Sequence, residues 1–282
     1  MTDITAHTPP RAAASAPAPS PAARPVEFRG GGFRPSSPRW VGLAVFVALI
    51  AFLEWGTRVG FISPLTVPRP SDVFLTLWDL AASGALWTNL GPSLMRLLVG
   101  GTLGATVGIA VGVMIGLFSV ARAGLVPLVA ALFPIPKIAL LPLFVIWFGI
   151  DEASKYALIA FGTFTPTVVA TYGAVDNVDR SLIRMGQSFG LKWTTVVLRI
   201  VLPGAMPGIL SGLRVSLAIA IILLVAAEML GAEHGIGAYI LQAGSLYDLE
   251  RLFAGVTILS LLGVILSGAV GMIEKHLLGW RT

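Results

Sequence analysis

Apolar positions in this chain run on without alternating. Six stretches, at about 40–58, 93–118, 124–148, 155–175, 209–230 and 253–274, are apolar over roughly the length a helix needs to cross a bilayer, about 20 residues. Continuous apolar runs predict helices and speak against a closed β-barrel, whose strands alternate apolar and polar residues. Between the first two runs lies a polar, proline-marked stretch from Pro64 to Pro70, followed by Ser71-Asp72. That pair predicts the cap of an amphipathic interfacial helix running toward Leu90. The expected fold class is all-α, a polytopic membrane protein with about six transmembrane helices.

Composition agrees with the pattern. Of 282 residues 56% are hydrophobic and 12% charged, and the mean hydropathy is +0.87. A soluble domain of this size carries far more surface charge. Residues 1–38 differ, being rich in Ala, Pro and Ser, and cannot bury enough apolar area to offset their ordering entropy. They are expected to form a disordered cytoplasmic tail rather than a secretory signal, leaving 39–282 as the membrane domain.

The sequence pI near 10 reflects basic loops and carries no implication of nucleic acid. With the N-terminus in the cytoplasm, the inner side collects Arg11, Arg24, Arg29, Arg34, Arg39, Arg122, Arg180, Arg184, Lys192, Arg199, Lys275 and Arg281. The outer side keeps Arg58, Arg69, Lys155 and Arg251. Twelve against four predicts that both termini are cytoplasmic. Cysteine is absent, which removes disulfides, thiolate metal sites and cysteine nucleophiles.

Within the spans, Gly100, Gly104, Gly108, Gly112 and Gly116 recur every fourth residue and predict a helix face against which another backbone packs closely. Shorter runs of the same kind are Gly204, Gly208, Gly212 and Gly263, Ser267, Gly271. Ionisable residues at membrane depth are costly and point to function. Glu228, near the outer end of the fifth span, is a candidate for the solute pathway. Lys137 follows a Pro-Ile-Pro break in the third span and is a candidate to attract an anion. Thr163, Thr165, Thr167 and Thr171, around Pro166, offer hydroxyls either to a polar solute or to the helix backbone freed by the proline. Glu54 and Arg96 lie nearer span ends and are expected to be anchors.

The longest inner loop, about 176–207, is heavily punctuated. Asp179 and Ser181 predict a helix start, Gly190 a left-handed end, and a second amphipathic helix follows from about Lys192 to Ile200. Pro203 and Pro207 are expected to break the chain before it re-enters the membrane. On composition alone this loop fits either a docking element or a helix pair lying on anionic lipid.

Gly190, nine further residues, then Ile200-Val201-Leu202-Pro203 resemble the G-x(9)-I-x-L-P core of the cytoplasmic motif in permease subunits of ATP-binding-cassette importers. The stretches PRPSDVFLTLWDL, SLMRLLVGGTLGATVGIAVGVMIG, FPIPKIALLPLFVIWFGIDEASK and LPGAMPGILSGLRVSLAIAIILLVAAEMLGAEHGIGAYI are similar to consecutive landmarks of the branch that imports nitrate, taurine and aliphatic sulfonates. The resemblance runs from about residue 40 to the C-terminus. It implies a type I importer permease fold in a bacterial inner membrane, working as a homodimer. It also implies two separate ATPase subunits, an extracytoplasmic solute-binding protein and a short coupling helix in the 181–203 loop. Gly190, Ile200, Leu202 and Pro203 would carry the docking geometry. Where the family often has Glu-Ala-Ala, this chain has Arg184-Met185-Gly186, so the usual acidic partner for the ATPase groove is basic here.

No Gly-x(4)-Gly-Lys-Ser/Thr phosphate loop surrounds any of the four lysines, and no His-Glu-x-x-His is present. The chain is therefore expected to be a transport subunit and no enzyme, binding no cofactor itself, with ATP and Mg used by a partner. The alternative left open is a self-sufficient secondary transporter or channel.

Overall fold

The computed structural model describes residues 39–279. The 1–38 tail and Arg281 lie outside the described residues. The molecule divides into two units, Met1–Leu49 and Ile50–Thr282. The described part of the first is the opening of an apolar helix, α1 (Arg39–Arg58). All remaining elements belong to the second unit.

After α1 come α2 (Pro70–Ala82), α3 (Ala85–Leu117), α4 (Ser119–Leu132), a tight 3-10 turn (Lys137–Leu140) and α5 (Leu141–Phe148). Then follow α6 (Glu152–Asp176), α7 (Arg180–Ser188), α8 (Trp193–Val196), α9 (Leu202–Met229), α10 (Ile236–Ser245) and α11 (Leu249–Leu277). No strand occurs among the described residues.

The expected helix from Ser71 toward Leu90 is interrupted. Its first turn holds Pro70, and the Ser71 N–H and hydroxyl both donate to the Glu54 carboxylate, at 3.0 Å each. Glu54 is thus an N-terminal cap for α2. The chain then turns at Ser83-Gly84, where Gly84 has φ +82°, and α3 begins. The second span consequently starts earlier than its hydropathy suggested and runs 33 residues with Pro92 inside it.

The third span is bent by 89° between α4 and the Lys137–Phe148 segment. Its role follows from its neighbours. A Cβ placed on Gly100, Gly104, Gly108, Gly112 or Gly116 would collide with Ile159, Thr163, Thr167, Thr171 or Val175 respectively. Both series ascend in steps of four, so α3 and α6 run parallel. Two flanking spans can be parallel only if the bent pair between them crosses the membrane, which makes six crossings.

α9 lies against α6 in the opposite sense: Gly208 meets Ala174, Gly212 meets Ala170, and Leu223 covers Gly162. Leu97, Ile159, Leu223 and Leu224 fill the space where α3, α6 and α9 meet.

One expectation is corrected here. Pro203 and Pro207 do not break the chain, because Trp193–Met229 is one continuous helix of 37 residues. Between α8 and α9, Val197–Val201 forms a π turn, in which the Leu202 N–H reaches back to the Val197 carbonyl. A proline ring crowds the carbonyl four residues back and supplies no N–H to it. Widening the turn just before Pro203 relieves that conflict. The amphipathic 192–200 segment is accordingly the first part of the fifth span.

Candidate functional site

Charged side chains that hydropathy scattered over three spans come together at the α10 end of the bundle. The Glu228 side chain is fully buried and that of Arg96 is 4% exposed. Glu228 Oε1 accepts from Ser93 Oγ (2.7 Å) and Arg96 Nη1 (2.8 Å), and Oε2 accepts from the Gly237 N–H (2.8 Å). Arg96 also clamps Glu152 with both edges of its guanidinium: Nε donates to Oε2 at 2.7 Å and Nη2 to Oε1 at 2.6 Å. Its Nη1 further donates to the His234 carbonyl (2.7 Å). Lys155 Nζ donates to the Ile150 carbonyl (3.1 Å) and lies 3.5 Å from Glu152. A buried carboxylate is tolerated only when its lone pairs and charge are met in this way.

Local chemistry builds the rest of the cluster. Ser93, three residues before Arg96 on α3, shares its face and accepts from the Ile236 N–H (2.9 Å), while Asn89 accepts from the Gly235 N–H (3.1 Å). The first N–H groups of α10 are thereby satisfied by α3. A Cβ on Gly235 would stand 2.5 Å from Glu228 Cδ, so only glycine lets this loop close on the carboxylate. Glu152, 47% exposed at the side chain, faces a cavity of about 760 Å³ that Tyr156, Glu233 and His234 also line.

Glu228 is the centre of a buried ion network. Thr163 and Thr167 are buried between α3, α6 and α9, and their hydroxyls donate to the carbonyls of Ile159 and Thr163, with Thr167 also paired to Ser216 at 2.8 Å. Both pack against the α3 glycines, Thr163 against Gly104 and Thr167 against Gly108. Thr165 and Thr171 are also buried, with no hydrogen-bond partner for either hydroxyl among the described residues. Lys137 turns its ammonium onto the Phe133 carbonyl at the end of α4, where a cation is favoured, and over the Phe133 ring at 5.3 Å. Arg96, expected to be an anchor, is the residue sequence reasoning missed. Its signal was present: a lone arginine and a lone glutamate inside two apolar spans seek each other.

At the opposite end, α7 projects between α6 and α8. Asp179 caps it by accepting from the Ser181 N–H at 2.8 Å, which holds its carboxyl below the usual carboxylate range. Gly190 ends it with φ +70°. The Gly190 N–H bonds to Gln187 O (2.9 Å) and the Leu191 N–H to Gly186 O (3.1 Å), a Schellman closure. Ile200 packs over Gly186, where a Cβ would lie 2.8 Å from Ile200 Cδ1. Leu202 and Pro203 open α9 directly after the π turn. Arg184 is exposed and makes no ion pair among the described residues. Leu182, Met185, Phe189 and Trp193 leave much of their apolar surface exposed, so this segment carries an uncovered apolar face.

Six crossings, an internal ion network and a capped helix projecting from one end define a multi-pass membrane protein. Residues 104–279 match the family described as binding-protein-dependent transport system inner membrane component. Among relatives, the chain is 34% identical over 240 residues to a Bacillus subtilis (strain 168) permease named for aliphatic sulfonates transport, SsuC, covering 85% of this chain and 87% of that one. It is 33% identical over 250 residues to the taurine transport system permease protein TauC of Escherichia coli (strain K12), covering 86% and 91%. To the riboflavin transport system permease protein RibX of Chloroflexus aurantiacus it is 32% identical over 242 residues, covering 86% and 90%. The fold matches a chain of the MetNI methionine ABC transporter in an inward facing conformation, with TM-score 0.60, 20% identity and 69% and 98% coverage. The chain belongs to the permease family of ATP-binding-cassette importers, in its aliphatic sulfonate and taurine branch, and forms the translocation subunit.

Proposed function

We propose that this chain is one half of a homodimeric permease that imports a small sulfonate, taurine, nitrate or related anion. Two separate ATPase subunits dock on its α7 end, in the cytoplasm with both termini, and supply the energy from ATP and Mg. An extracytoplasmic solute-binding protein delivers cargo at the α10 end. The observation that carries this reading is the capped, apolar-faced α7 segment, joined through the π turn to a helix that crosses the membrane. A short helix fixed by an Asp cap and a Gly closure moves as a rigid body, and displacement at its base is passed along α9. Arg184, Gly190, Ile200, Leu202 and Pro203 form or support the docking element, with Arg184 meeting an acidic residue on the ATPase.

The test is purification of the tagged chain from its native membranes in mild detergent, with mass determination and an ATPase assay. Two permeases with two ATPases, lost in a Gly190→Val, Pro203→Ala double variant, is the expected result. A chain that purifies alone and conducts solute in liposomes would instead make it a secondary transporter or channel.

A further inference from the structure

At the α7 end of the bundle, a groove of about 490 Å³ lies between the first turns of α9 and the last turn of α11, lined by Arg199, Pro203, Met206 and Leu277. Its walls are apolar and its mouth is cationic. Arg199, in the π turn, is exposed and makes no hydrogen bond or ion pair among the described residues. Lys275 and His276, the two residues before Leu277 on α11, are exposed as well. No carboxylate is at hand to neutralise them. Between Arg180 and Ala227 the sequence has five basic residues, Arg180, Arg184, Lys192, Arg199 and Arg214, and no Asp or Glu. In the last turn of α11 the carboxylate of Glu274 is already paired with Arg214.

An unpaired guanidinium at the mouth of a groove attracts an anion, and its parallel N–H donors match a phosphate. The walls decide which kind of anion. Pro203 and Met206 follow Arg199 along α9 toward the α10 end. On α11, Ile273 lies one turn from Leu277 on the same face and in the same direction, and is exposed. Met272, Ile265 and Val264 are exposed farther along that helix. The groove thus leads from a charged mouth, where Lys275 and His276 close α11, to apolar surface on a membrane-crossing helix. Inorganic phosphate has nothing to set against such walls, and a water-soluble partner cannot follow them into hydrocarbon. An anionic amphiphile satisfies both ends. We propose that the groove holds an anionic phospholipid, its phosphate on Arg199 and an acyl chain against Pro203, Met206 and Leu277. Lys275 and His276 strengthen the attraction from the rim. The site goes beyond the import function proposed above and does not depend on it.

The test is native mass spectrometry of the full-length chain in detergent, titrated with phosphatidylglycerol and with phosphatidylcholine of identical acyl chains. The first phosphatidylglycerol should bind about tenfold more tightly than phosphatidylcholine, and Arg199→Gln should lower that preference about fivefold. Lys192→Gln removes an exposed charge from the same end without touching the groove, and should leave the preference unchanged. Met206→Trp keeps every charge but fills the groove, and should weaken the first phosphatidylglycerol. This second variant decides the matter if Arg199→Gln does not fold. Equal binding of the two lipids by the unsubstituted chain overturns the proposal. So does an equal loss in Lys192→Gln and Arg199→Gln, which would mean diffuse attraction to a basic surface. Excess glycerol phosphate should not displace the lipid; displacement would assign the groove to a free phosphate and overturn the lipid site. Binding to the isolated chain that is lost in its dimer, or in its complex with an ATPase subunit, would mean that a protein covers the groove and equally overturns it.

Discussion

Glu228 and Arg96 share a buried ion pair, whereas Glu152, on the other edge of the same guanidinium, is half in water. That difference sets the cost of removing each. Glu228→Ala or Arg96→Ala leaves a buried charge without its partner and should destabilise the chain by about 3–5 kcal/mol. Glu152→Gln should cost about 1 kcal/mol or less, since solvent screens it. Thermal unfolding in detergent measures all three, and the Glu228→Ala, Arg96→Ala double variant should cost clearly less than the sum of its parts. Gly190 is a second residue-scale case. At φ +70° a β-branched side chain clashes with its own backbone, so Gly190→Val should cost about 1–2 kcal/mol locally. Insertion into the membrane should be normal and uptake should fall; normal uptake would refute a docking role. The Asp179 cap stays ionised through neutral pH and is lost only as acid protonates a carboxyl whose pKa is held low.

Among the helices, the α3–α6 seam brings two backbones into close approach along five successive turns. A Cβ on Gly104 would stand 2.0 Å from Thr163 Oγ1 and 2.2 Å from the Ala160 carbonyl, while one on Gly101 meets nothing within 4 Å. Gly104→Val should therefore force the two helices apart and abolish monodisperse protein on size exclusion, and Gly101→Val should leave the profile unchanged. Equal behaviour of the two would mean that the seam does not hold the bundle. The π turn makes a different prediction. One extra residue in a turn rotates what precedes it by about 100° relative to a regular helix. Pro203→Ala removes the reason for the wide turn, so α7 and α8 should swing relative to α9. ATPase retention on pull-down should drop while the amount of permease in the membrane stays constant.

For the molecule as a whole, parallel α3 and α6 turn a sharply bent third span into a true crossing and give the alternating path of six spans. The ion network ties α3, α6, α9 and the start of α10 at one end, and α7 projects at the other. Motion delivered to α7 thus enters a bundle whose far end is cross-linked by charge. Cysteine-pair cross-linking between position 96 or 152 substitutes is unsuitable because both are in the network. Labelling of Tyr247→Cys, 90% exposed in the α10–α11 turn, should instead report opening at that end, changing between nucleotide-free and ATP-trapped complexes. Equal labelling in the two states would show that the α10 end does not move.

The sequence by itself determined what is local or periodic. Apolar run length gave the spans, a period of four gave the glycine face of α3, and Asp179 and Gly190 marked the ends of α7. Each depends on residues within a few turns of one another. The G-x(9)-I-x-L-P spacing likewise carried the family resemblance. Only the tertiary structure decided which charges meet, because Arg96 lies 56 residues from Glu152 and 132 from Glu228, and hydropathy holds no register between helices. The same is true of the threonines of α6, whose packing against the α3 glycines no local pattern records. It is true of Pro203, whose apparent break becomes a widened turn once packing on both sides keeps the helix whole. Burial and pairing belong to the assembled bundle, where the cost of an unmet charge in a low-dielectric interior selects one arrangement.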